Sequence, residues 1–312
     1  MPKAVVTGGA GFIGSHLAEE LARRGYQVII LDNLSTGKTE NVAHLLSQDN
    51  AEFIQGSITD LSLLEKTFRG VDYVFHQAAI PSVPRSIESP LDSHEVNITG
   101  TLNVLLAAKS NSIKKVVYAS SSSVYGDTPT LPKREDMLPN PQSPYAVTKL
   151  TAEYYCQVFH QVYRLPTVCL RYFNIYGPRQ DPNSQYAAVI PKFIKRVSQG
   201  KPPIIFGDGK QTRDFTFVKD AVEVNILAAE SDAADIFNIG KGESITINEL
   251  AHLIIRLVGN NVAPTHQQPR AGDIRHSLAD ISRAREFGYN PKYNLEQGLK
   301  ETISGIRRYG DV

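Results

Sequence analysis

The 312-residue sequence has few cysteines, no excess of charge of either sign and no long apolar run. Its two cysteines, Cys156 and Cys169, are not grouped with histidines at metal-ligand spacing, which argues against a disulfide framework and a zinc site. A net charge of +1 on scattered Lys and Arg argues against nucleic acid or a membrane as partner. No window reaches the roughly 18 apolar residues of a membrane span, and the N-terminus MPKAVVTGG lacks the apolar stretch of a signal peptide. We therefore expect a cytoplasmic protein that binds any phosphate through local contacts.

The N-terminal half alternates short apolar runs with amphipathic stretches. The predicted strands are KAVVT, QVIILD, AEFIQG, VDYVFH and KKVVYAS, and the predicted helices cover 11–25, 40–48, 60–69, 93–111 and 143–163. This alternation predicts an α/β fold with a doubly wound parallel sheet of the Rossmann type. From about residue 174 the loops become rich in Pro and Gly. We expect a Rossmann domain over 1–173 and a smaller C-terminal α/β substrate lobe over 174–312, with some chain crossing back.

A glycine motif follows the first predicted strand. The segment TGGAGFIG places Gly8, Gly11 and Gly14 between that strand and a helix, where backbone amides can approach a pyrophosphate. Asp32 ends the next strand, where a carboxylate can accept hydrogen bonds from ribose hydroxyls and would repel a 2′-phosphate, which favours NAD over NADP. A turn that serves only packing is disfavoured because strand, motif, helix, strand and acid occur in order. A capping role for Asp32 stays open, with NLSTGK as a loop around the adenosine.

The segment SPYAVTKLTAEYY carries Tyr145 and Lys149 four residues apart, so that both lie on one helix face. A tyrosine that acts as a base near neutral pH needs its pKa lowered by roughly three units, or about 4 kcal/mol. One ammonium about 4 Å away contributes that much at an effective dielectric near 20, and a positive nicotinamide would add to it. Such pairs also occur on many solvated helices. Here the pair follows a hydroxyl-rich strand end, ASSSSVYGD, and together they predict a hydroxyl-oxidising or carbonyl-reducing site.

Several segments resemble the extended short-chain dehydrogenase/reductase family over nearly the whole chain. They are TGGAGFIG, HQAA at 76–79, SSSSVYG, SPYAVTK and LRYFNIYGPRQ. Within that family the chain looks like the UDP-sugar 4-epimerases, most closely the branch acting on N-acetylated hexosamine nucleotides, through RAGDIRHSLADISRA. The resemblance implies an NAD cofactor, a UDP-sugar substrate and a homodimer paired through 93–111 and 143–163. The alternative is that these two helices simply cover the sheet.

The resemblance also implies roles for individual residues. Ser121 matches the catalytic serine, Tyr145 the base and Lys149 the ribose-binding lysine; the run of serines leaves the serine's register open by one, and Ser120 and Ser123 are equally well read as strand-end polar residues. The implied cofactor-binding residues are Gly8, Gly11, Phe12, Ile13, Gly14, Asp32, Asn33, Ser35, Thr36, Gly37, Ser57, Ile58, Gln77, Ala78, Ala79, Tyr145, Lys149 and Tyr172. The implied substrate-binding residues are Ser82, Ser121, Ser122, Ser123, Tyr145, Asn174, Val189, Lys192, Phe206, Arg213, Arg270, Asp273 and Ser277.

Three positions refine the expected reaction. Related dehydratases and decarboxylases look as if they need an acid where this chain has Ser122 and Ser123, so a 4-keto intermediate is expected only to be reduced again, on its opposite face. The implied reaction is reversible C4 epimerisation, in which Tyr145 takes the O4 proton while hydride passes to NAD. Ser277 aligns with a position where a bulky tyrosine restricts relatives to plain hexoses, so a 2-acetamido group should fit.

The roles of two residues, the sugar and the type of reaction stay open at this stage. Ser57 stands where relatives usually carry an acid at the adenine, and Asp60 is expected to serve a neighbouring role. Ser82 is read either as facing the sugar or as a turn residue between prolines. The expected substrate is UDP-N-acetylglucosamine, with UDP-glucose or UDP-hexuronate as alternatives. A sugar-nucleotide dehydratase, decarboxylase or reductase is less favoured, and a non-enzymatic NAD-binding scaffold is the least favoured.

Overall fold

The computed structural model describes residues 1–182, 188–269 and 274–308. Two predicted substrate residues, Arg270 and Asp273, lie outside this part of the chain. The first elements in chain order are β1 (Lys3–Thr7), α1 (Phe12–Arg23), β2 (Gln27–Asp32), β3 (Ala51–Gln55), α2 (Leu61–Thr67), β4 (Tyr73–His76), α3 (Val83–Glu88), α4 (Pro90–His94), α5 (Gly100–Ser110), β5 (Lys115–Ser121), α6 (Pro144–Tyr163) and β6 (Thr167–Tyr172). The later elements are β7 (Ile175–Tyr176), α7 (Val189–Ser198), β8 (Ile204–Phe206), β9 (Thr212–Arg213), β10 (Thr216–Phe217), α8 (Val218–Glu230), β11 (Ile236–Ile239), β12 (Ile245–Thr246), α9 (Ile247–Val258), β13 (Thr265–Gln267), α10 (Ser282–Glu286) and α11 (Leu295–Arg308).

A seven-stranded parallel sheet forms the centre of the molecule. Its strand order is β11-β6-β5-β4-β1-β2-β3. The order reverses between β1 and β4, and in doubly wound sheets ligands bind beyond the carboxyl ends of the strands at such a point. The predicted α/β fold with a doubly wound Rossmann sheet is confirmed.

The central strands are mainly apolar and buried, as expected where helices cover both faces of the sheet. Successive residues therefore enter different layers: Val6 and Ile30 pack in the layer that contains α1, whereas Val5 and Ile29 pack in the layer that contains α5. All four side chains are almost fully buried. Because the sheet is packed on both faces, the strands are held in register. The glycine turn after β1 and the serine run at the end of β5 therefore lie along the same edge of the sheet.

Two predicted helices differ in the structure. Residues 40–48 form a 3-10 turn at Thr39–Asn41 followed by further turns, not an α-helix, so that prediction is wrong. Only Val42 and Leu45 in this stretch are buried, and a three-residue spacing fits successive i to i+3 hydrogen bonds. The predicted helix at 93–111 is instead α4 and α5 joined through a π-helical turn at Glu95–Thr99.

The second lobe has its own core, in which Phe193, Ile205, Leu250 and Leu299 are buried together. Strands β8 and β13, β9 and β12, and β7 and β10 form small two-stranded sheets around it. Strand β11 pairs with β6, so residues 236–239 belong to the central sheet although they follow residue 173. The exact domain boundary at 173/174 stays a prediction. Within the described ranges, no helix has the length and apolarity needed to cross a membrane.

Candidate active site

The glycine turn after β1 leaves room for an anion at the start of α1. Gly8 has a φ of +67°, and a Cβ there would lie 2.8 Å from Ala78 Cα. A Cβ on Gly14 would lie 2.2 Å from the Gly8 carbonyl oxygen. Gly11 precedes α1 without any side-chain cap, and the first turn of α1 carries no acid. This is the geometry in which backbone N–H groups hold a pyrophosphate, so the turn fits the diphosphate of NAD.

Asp32 ties the glycine turn to the following loop. It is buried, its Oδ2 accepts the Ala10 N–H at 3.0 Å, and its Oδ1 accepts the Leu34 N–H at 2.8 Å. The loop itself is mostly exposed and carries the predicted residues Asn33, Ser35, Thr36 and Gly37. A carboxylate has about four acceptor sites, so two backbone donors leave capacity for ribose hydroxyls.

The end of β3 carries the predicted adenine-side residues. Ser57 Oγ lies 2.8 Å from Thr59 Oγ1, and Ile58 is buried against Gly100. Asp60 Oδ1 accepts the Leu63 N–H at 3.0 Å, so this carboxylate caps α2. Phe12 and Ile13, which begin α1, pack partly against the core of the second lobe.

A buried polar cluster follows β4. Gln77 Nε2 donates to Tyr172 Oη at 3.2 Å and to Asn225 Oδ1 at 3.0 Å, and Asn225 Nδ2 donates to Tyr172 Oη at 2.7 Å. Burial raises the pKa of Tyr172 to about 12, so its hydroxyl stays neutral. Ala78 and Ala79 continue this loop, where the Ala78 N–H donates to Thr7 Oγ1. The structure thus brings Gln77 and Tyr172 together, and it adds Asn225, a buried amide on α8 that the sequence analysis did not single out.

The serine run diverges at the end of β5. Ser120 Oγ donates to Glu153 Oε1 at 2.5 Å. Ser121 instead acts on Tyr145, whose pKa its side chain tends to lower. Ser122 begins a 3-10 turn, and the Ser123 N–H donates to Ser121 Oγ at 3.2 Å. The Ser123 hydroxyl is buried and has no hydrogen-bond partner among the described residues. Of the four serines, Ser121 is the one that contacts Tyr145.

Helix α6 presents Tyr145 and Lys149 to this strand end. Ser143 caps the helix by accepting the Ala146 N–H, and the Tyr145 N–H donates to Ser86 Oγ at 3.0 Å. Lys149 is almost fully buried, and its Nζ donates to the Ala119 carbonyl at 2.7 Å. Pro144 at the first position of α6 directly precedes Tyr145, so the helix begins next to a residue that the sequence already singled out.

The electrostatics differ from the sequence-based expectation. Lys149 Nζ lies 5.9 Å from the Tyr145 ring centroid and is directed at a carbonyl, not at the phenol oxygen. Burial raises the pKa of Tyr145 above its ordinary value, while the hydrogen bond with Ser121 acts in the opposite direction. Burial lowers the pKa of Lys149 to about 8, and the charge of Glu153 opposes that change. The Lys149 ammonium is therefore not the source of a lowered Tyr145 pKa in this structure, and burial is the largest influence on that pKa.

Two further side chains connect elements around the site: Asn97, which was not predicted, and Ser82, which was predicted either to face the sugar or to be a turn residue between prolines. Asn97, in the π-helical turn, accepts the Ile80 N–H at 2.8 Å and donates to Thr148 Oγ1 at 3.1 Å. Ser82 accepts the Arg85 N–H and so caps α3, which packs on α6. Asn97 thus connects the loop after β4 to the helix that carries Lys149. In the sequence it is marked only as an amide among the apolar residues of the helix predicted at 93–111.

The second lobe contributes a cavity of about 230 Å³. Its lining includes the predicted residues Asn174, Val189 and Arg213, together with Gln180 and Phe215. Asn174 has a φ of +37° and donates to the Asp214 carbonyl at 3.0 Å. A left-handed conformation at a residue other than glycine is often found at a functional site.

Three other predicted substrate residues, Lys192, Phe206 and Ser277, do not line this cavity. Ser277 is buried, and its N–H donates to the Thr212 carbonyl at 3.1 Å, which places it beside Arg213. Lys192 follows Val189 by one turn of α7, and Phe206 ends β8; neither lines the cavity. Asp214 is fully buried, accepts the N–H groups of Lys241, Gly242 and Ala279, and thereby fixes the segment that carries Ser277.

Comparison with known proteins agrees with this geometry. The NAD dependent epimerase/dehydratase family matches residues 4–240. A UDP-glucose 4-epimerase of Mycolicibacterium smegmatis is 39% identical over 98% of this chain and 98% of its own. A UDP-N-acetyl-alpha-D-glucosaminuronate decarboxylase of Bacillus cytotoxicus is also 39% identical, over 98% of both chains.

A solved structure of a UDP-N-acetylglucosamine 4-epimerase from Methanobrevibacter ruminantium M1, in complex with UDP-N-acetylmuramic acid, superposes with a TM-score of 0.96. It is 44% identical and covers 99% of each chain. The expected family resemblance and the NAD cofactor are confirmed. The chain therefore belongs to the NAD dependent epimerase/dehydratase family, and it is an enzyme that uses NAD.

Proposed function

We propose that the protein catalyses the reversible C4 epimerisation of UDP-N-acetylglucosamine to UDP-N-acetylgalactosamine. Epimerisation of a UDP-sugar at C4 is supported by the related proteins, which are named as UDP-sugar 4-epimerases with different sugars. The observation that carries the proposal is the end of β5, where Ser121, whose side chain tends to lower the pKa of Tyr145, is followed by a 3-10 turn that begins with two further serines. The carboxylate that touches this run, Glu153, is bound by Ser120 and Arg171 beneath the strand. It is therefore not positioned to expel a sugar hydroxyl.

The residues of the chain have separate tasks in this reaction. Gly8 and Gly14 would hold the pyrophosphate and Asp32 the adenosine ribose. When bound, NAD supplies a positively charged nicotinamide that accepts a hydride and gives it back. Tyr145 takes the O4 proton as the C4 hydrogen leaves with its electron pair, which gives a 4-keto sugar, and Ser121 orients the phenol and the substrate oxygen. After the sugar turns over, both transfers run in reverse on its other face.

The diphosphate must stay anchored while the sugar turns over. Asn174 and Arg213 line the cavity of the second lobe, where an amide and a guanidinium suit a diphosphate. Val189, at the start of α7 in the same cavity, is proposed to contact the uridine. Anchoring at this remote group leaves the hexose free to rotate near Tyr145.

Ser277 supports the acetamido sugar as the preferred substrate. Its side chain is small, and the hydrogen bond to Thr212 places it beside Arg213 at the substrate lobe. A tyrosine at this position would occupy the volume that a 2-acetamido group needs. UDP-glucose is the second candidate, because a small residue also admits the smaller hexose and a related protein bears that name.

Proton NMR of the purified protein with each UDP-sugar, without a reductant, tests the proposal. We expect the galacto epimer to form from UDP-N-acetylglucosamine and from UDP-glucose, with the larger kcat/KM for the acetamido sugar and no net production of NADH. A 4-keto or pentose product would contradict epimerisation. A larger kcat/KM for UDP-glucose would contradict the assignment of the sugar.

We also propose that the protein forms a homodimer through α6 and the short helices beside it. Large apolar side chains are exposed along one face of this surface: Ile87, Leu91, Val147, Tyr154, Val158 and Val162. The opposite face of α6 carries Lys149, so pairing would steady the catalytic helix. Light scattering should give twice the chain mass of 34.4 kDa, and Val158→Arg should give a monomer. A monomeric wild-type protein would contradict this arrangement.

A further inference from the structure

A buried ion pair lies directly beneath the reactive centre. Glu153 on α6 is 0% exposed and Arg171 on β6 is 2% exposed. Arg171 Nε donates to Oε1 at 2.9 Å and Nη2 donates to Oε2 at 2.8 Å, which makes the pair bidentate. A buried pair of this kind is weak support for stability, because well-packed apolar residues often do as well or better. A contribution to stability is therefore not sufficient to explain why this ion pair is buried here.

The pair connects the three elements that carry the site. Along α6, Tyr145, Lys149 and Glu153 follow one another at four-residue intervals and share a face. Glu153 also accepts the hydroxyl of Ser120, the residue before Ser121 on β5. Its partner Arg171 directly precedes Tyr172 at the end of β6. One carboxylate thus joins the helix to two neighbouring strand ends.

The same carboxylate lies one turn of α6 from Lys149, on the same face of the helix. The titratable groups around Lys149 are His76 on β4, Tyr118 on β5, and Tyr145, Glu153 and Cys156 on α6, with Arg171 on β6 behind Glu153. Burial lowers the pKa of His76 to about 3 and raises the pKa of Tyr118, so both are neutral near pH 7. Among these groups, the compensating negative charge comes from Glu153.

From this geometry we propose that Glu153 is a positioning residue for the C4 oxidation: it provides the counter-charge of Lys149 and ties α6 to the strand ends of Ser121 and Tyr172. The inference rests on the proposed function, since it assigns Lys149 its role beside Tyr145. Glu153 touches neither substrate nor cofactor in this account. It acts by stabilising the charge of Lys149 and by holding α6 in place against β5 and β6 through Ser120 and Arg171.

The test compares Glu153→Gln with a variant that removes both charges, Glu153→Leu/Arg171→Met. In Glu153→Gln, kcat at pH 8 should fall about tenfold or more, and the alkaline limb of the kcat profile should move to lower pH by about one unit. The limb moves in this direction because Lys149 loses its proton more easily without the carboxylate. The double variant does not leave Arg171 unpaired, so it should be more stable than Glu153→Gln, but its alkaline limb should stay displaced because Lys149 still lacks its counter-charge.

A second readout does not depend on turnover. In protein labelled with ¹³C-lysine, the Cε resonance that disappears in Lys149→Ala identifies Lys149, and its titration should move to lower pH in both variants. An unmoved titration in Glu153→Gln, or a double variant with wild-type turnover and wild-type pH profile, would overturn the proposal. If Glu153→Gln does not fold, the double variant decides. A wild-type protein without epimerase activity would refute the proposed function, while the lysine titration would still decide the counter-charge.

Discussion

Replacing Gly14 with alanine is expected to weaken NAD binding without removing any side-chain contact. The new Cβ would lie 2.2 Å from the Gly8 carbonyl oxygen and 2.9 Å from both Gly8 C and Gly9 Cα. Ordinary contacts between non-bonded carbon atoms are about 3.5 Å or longer. All three neighbours are backbone atoms, so α1 and the glycine turn must separate by about 1 Å. The N–H groups at the start of α1 then no longer converge on one phosphate.

Overpacking of this kind typically costs about 1–3 kcal/mol. If that cost falls on the bound state, the Kd for NAD rises about 5- to 150-fold. Isothermal titration calorimetry with NAD, after bound nucleotide has been removed, measures the change. The matched control is Gly298→Ala in α11, where the Cβ would lie 2.1 Å from Tyr176 Oη, away from the glycine turn. Wild-type affinity in Gly14→Ala, or an equal loss in Gly298→Ala, would refute the reasoning.

Three further predictions test other parts of the site. Tyr145→Phe should lower kcat by about 10²- to 10⁴-fold with nearly unchanged binding of UDP-sugars by calorimetry, whereas loss of the folded state would make Tyr145 structural. Ser277→Tyr should remove activity on UDP-N-acetylglucosamine and spare UDP-glucose; an equal loss on both sugars in parallel assays would contradict the pocket argument. Burial raises the pKa of Asp214 to about 6, above its unfolded value, so its contribution to stability is complete below about pH 4 and is lost as the pH rises through 6. The free energy of urea unfolding of the wild type, relative to Asp214→Asn, should therefore fall by up to about 3 kcal/mol over that range, and a difference that does not change with pH would contradict the assignment.

The local patterns in the sequence were sufficient for the first five strands and for most of the helices between them. The glycine spacing that starts α1 and the apolar runs of β1 to β5 depend on neighbouring residues, so they could be predicted without knowing the tertiary structure. The stretch at 40–48 was predicted wrongly because its two buried residues, Val42 and Leu45, are compatible with either a helical or a three-residue period. Only the packing against the sheet distinguishes the two.

The candidate site was predicted in part, for a similar reason. The helix period and the serine run placed a serine, Tyr145 and Lys149 at one strand end, and the family resemblance singled out Ser121 among the serines. The direction of the Lys149 side chain could not, because it depends on a hydrogen bond to Ala119 on another element. Asn225 and Asp214 were missed since their partners lie far away in the sequence, at Tyr172 and at Ala279.

The central claim is that the C4 hydrogen leaves the sugar and returns to the same carbon. The most direct test is to incubate UDP-N-acetylglucosamine, deuterated at C4, with the enzyme in ordinary water and to follow both epimers by NMR and mass spectrometry. This account predicts that deuterium is retained at C4 in the galacto product and in the recovered substrate. Loss of deuterium to the solvent, or transfer of oxygen from water to C4, would contradict it.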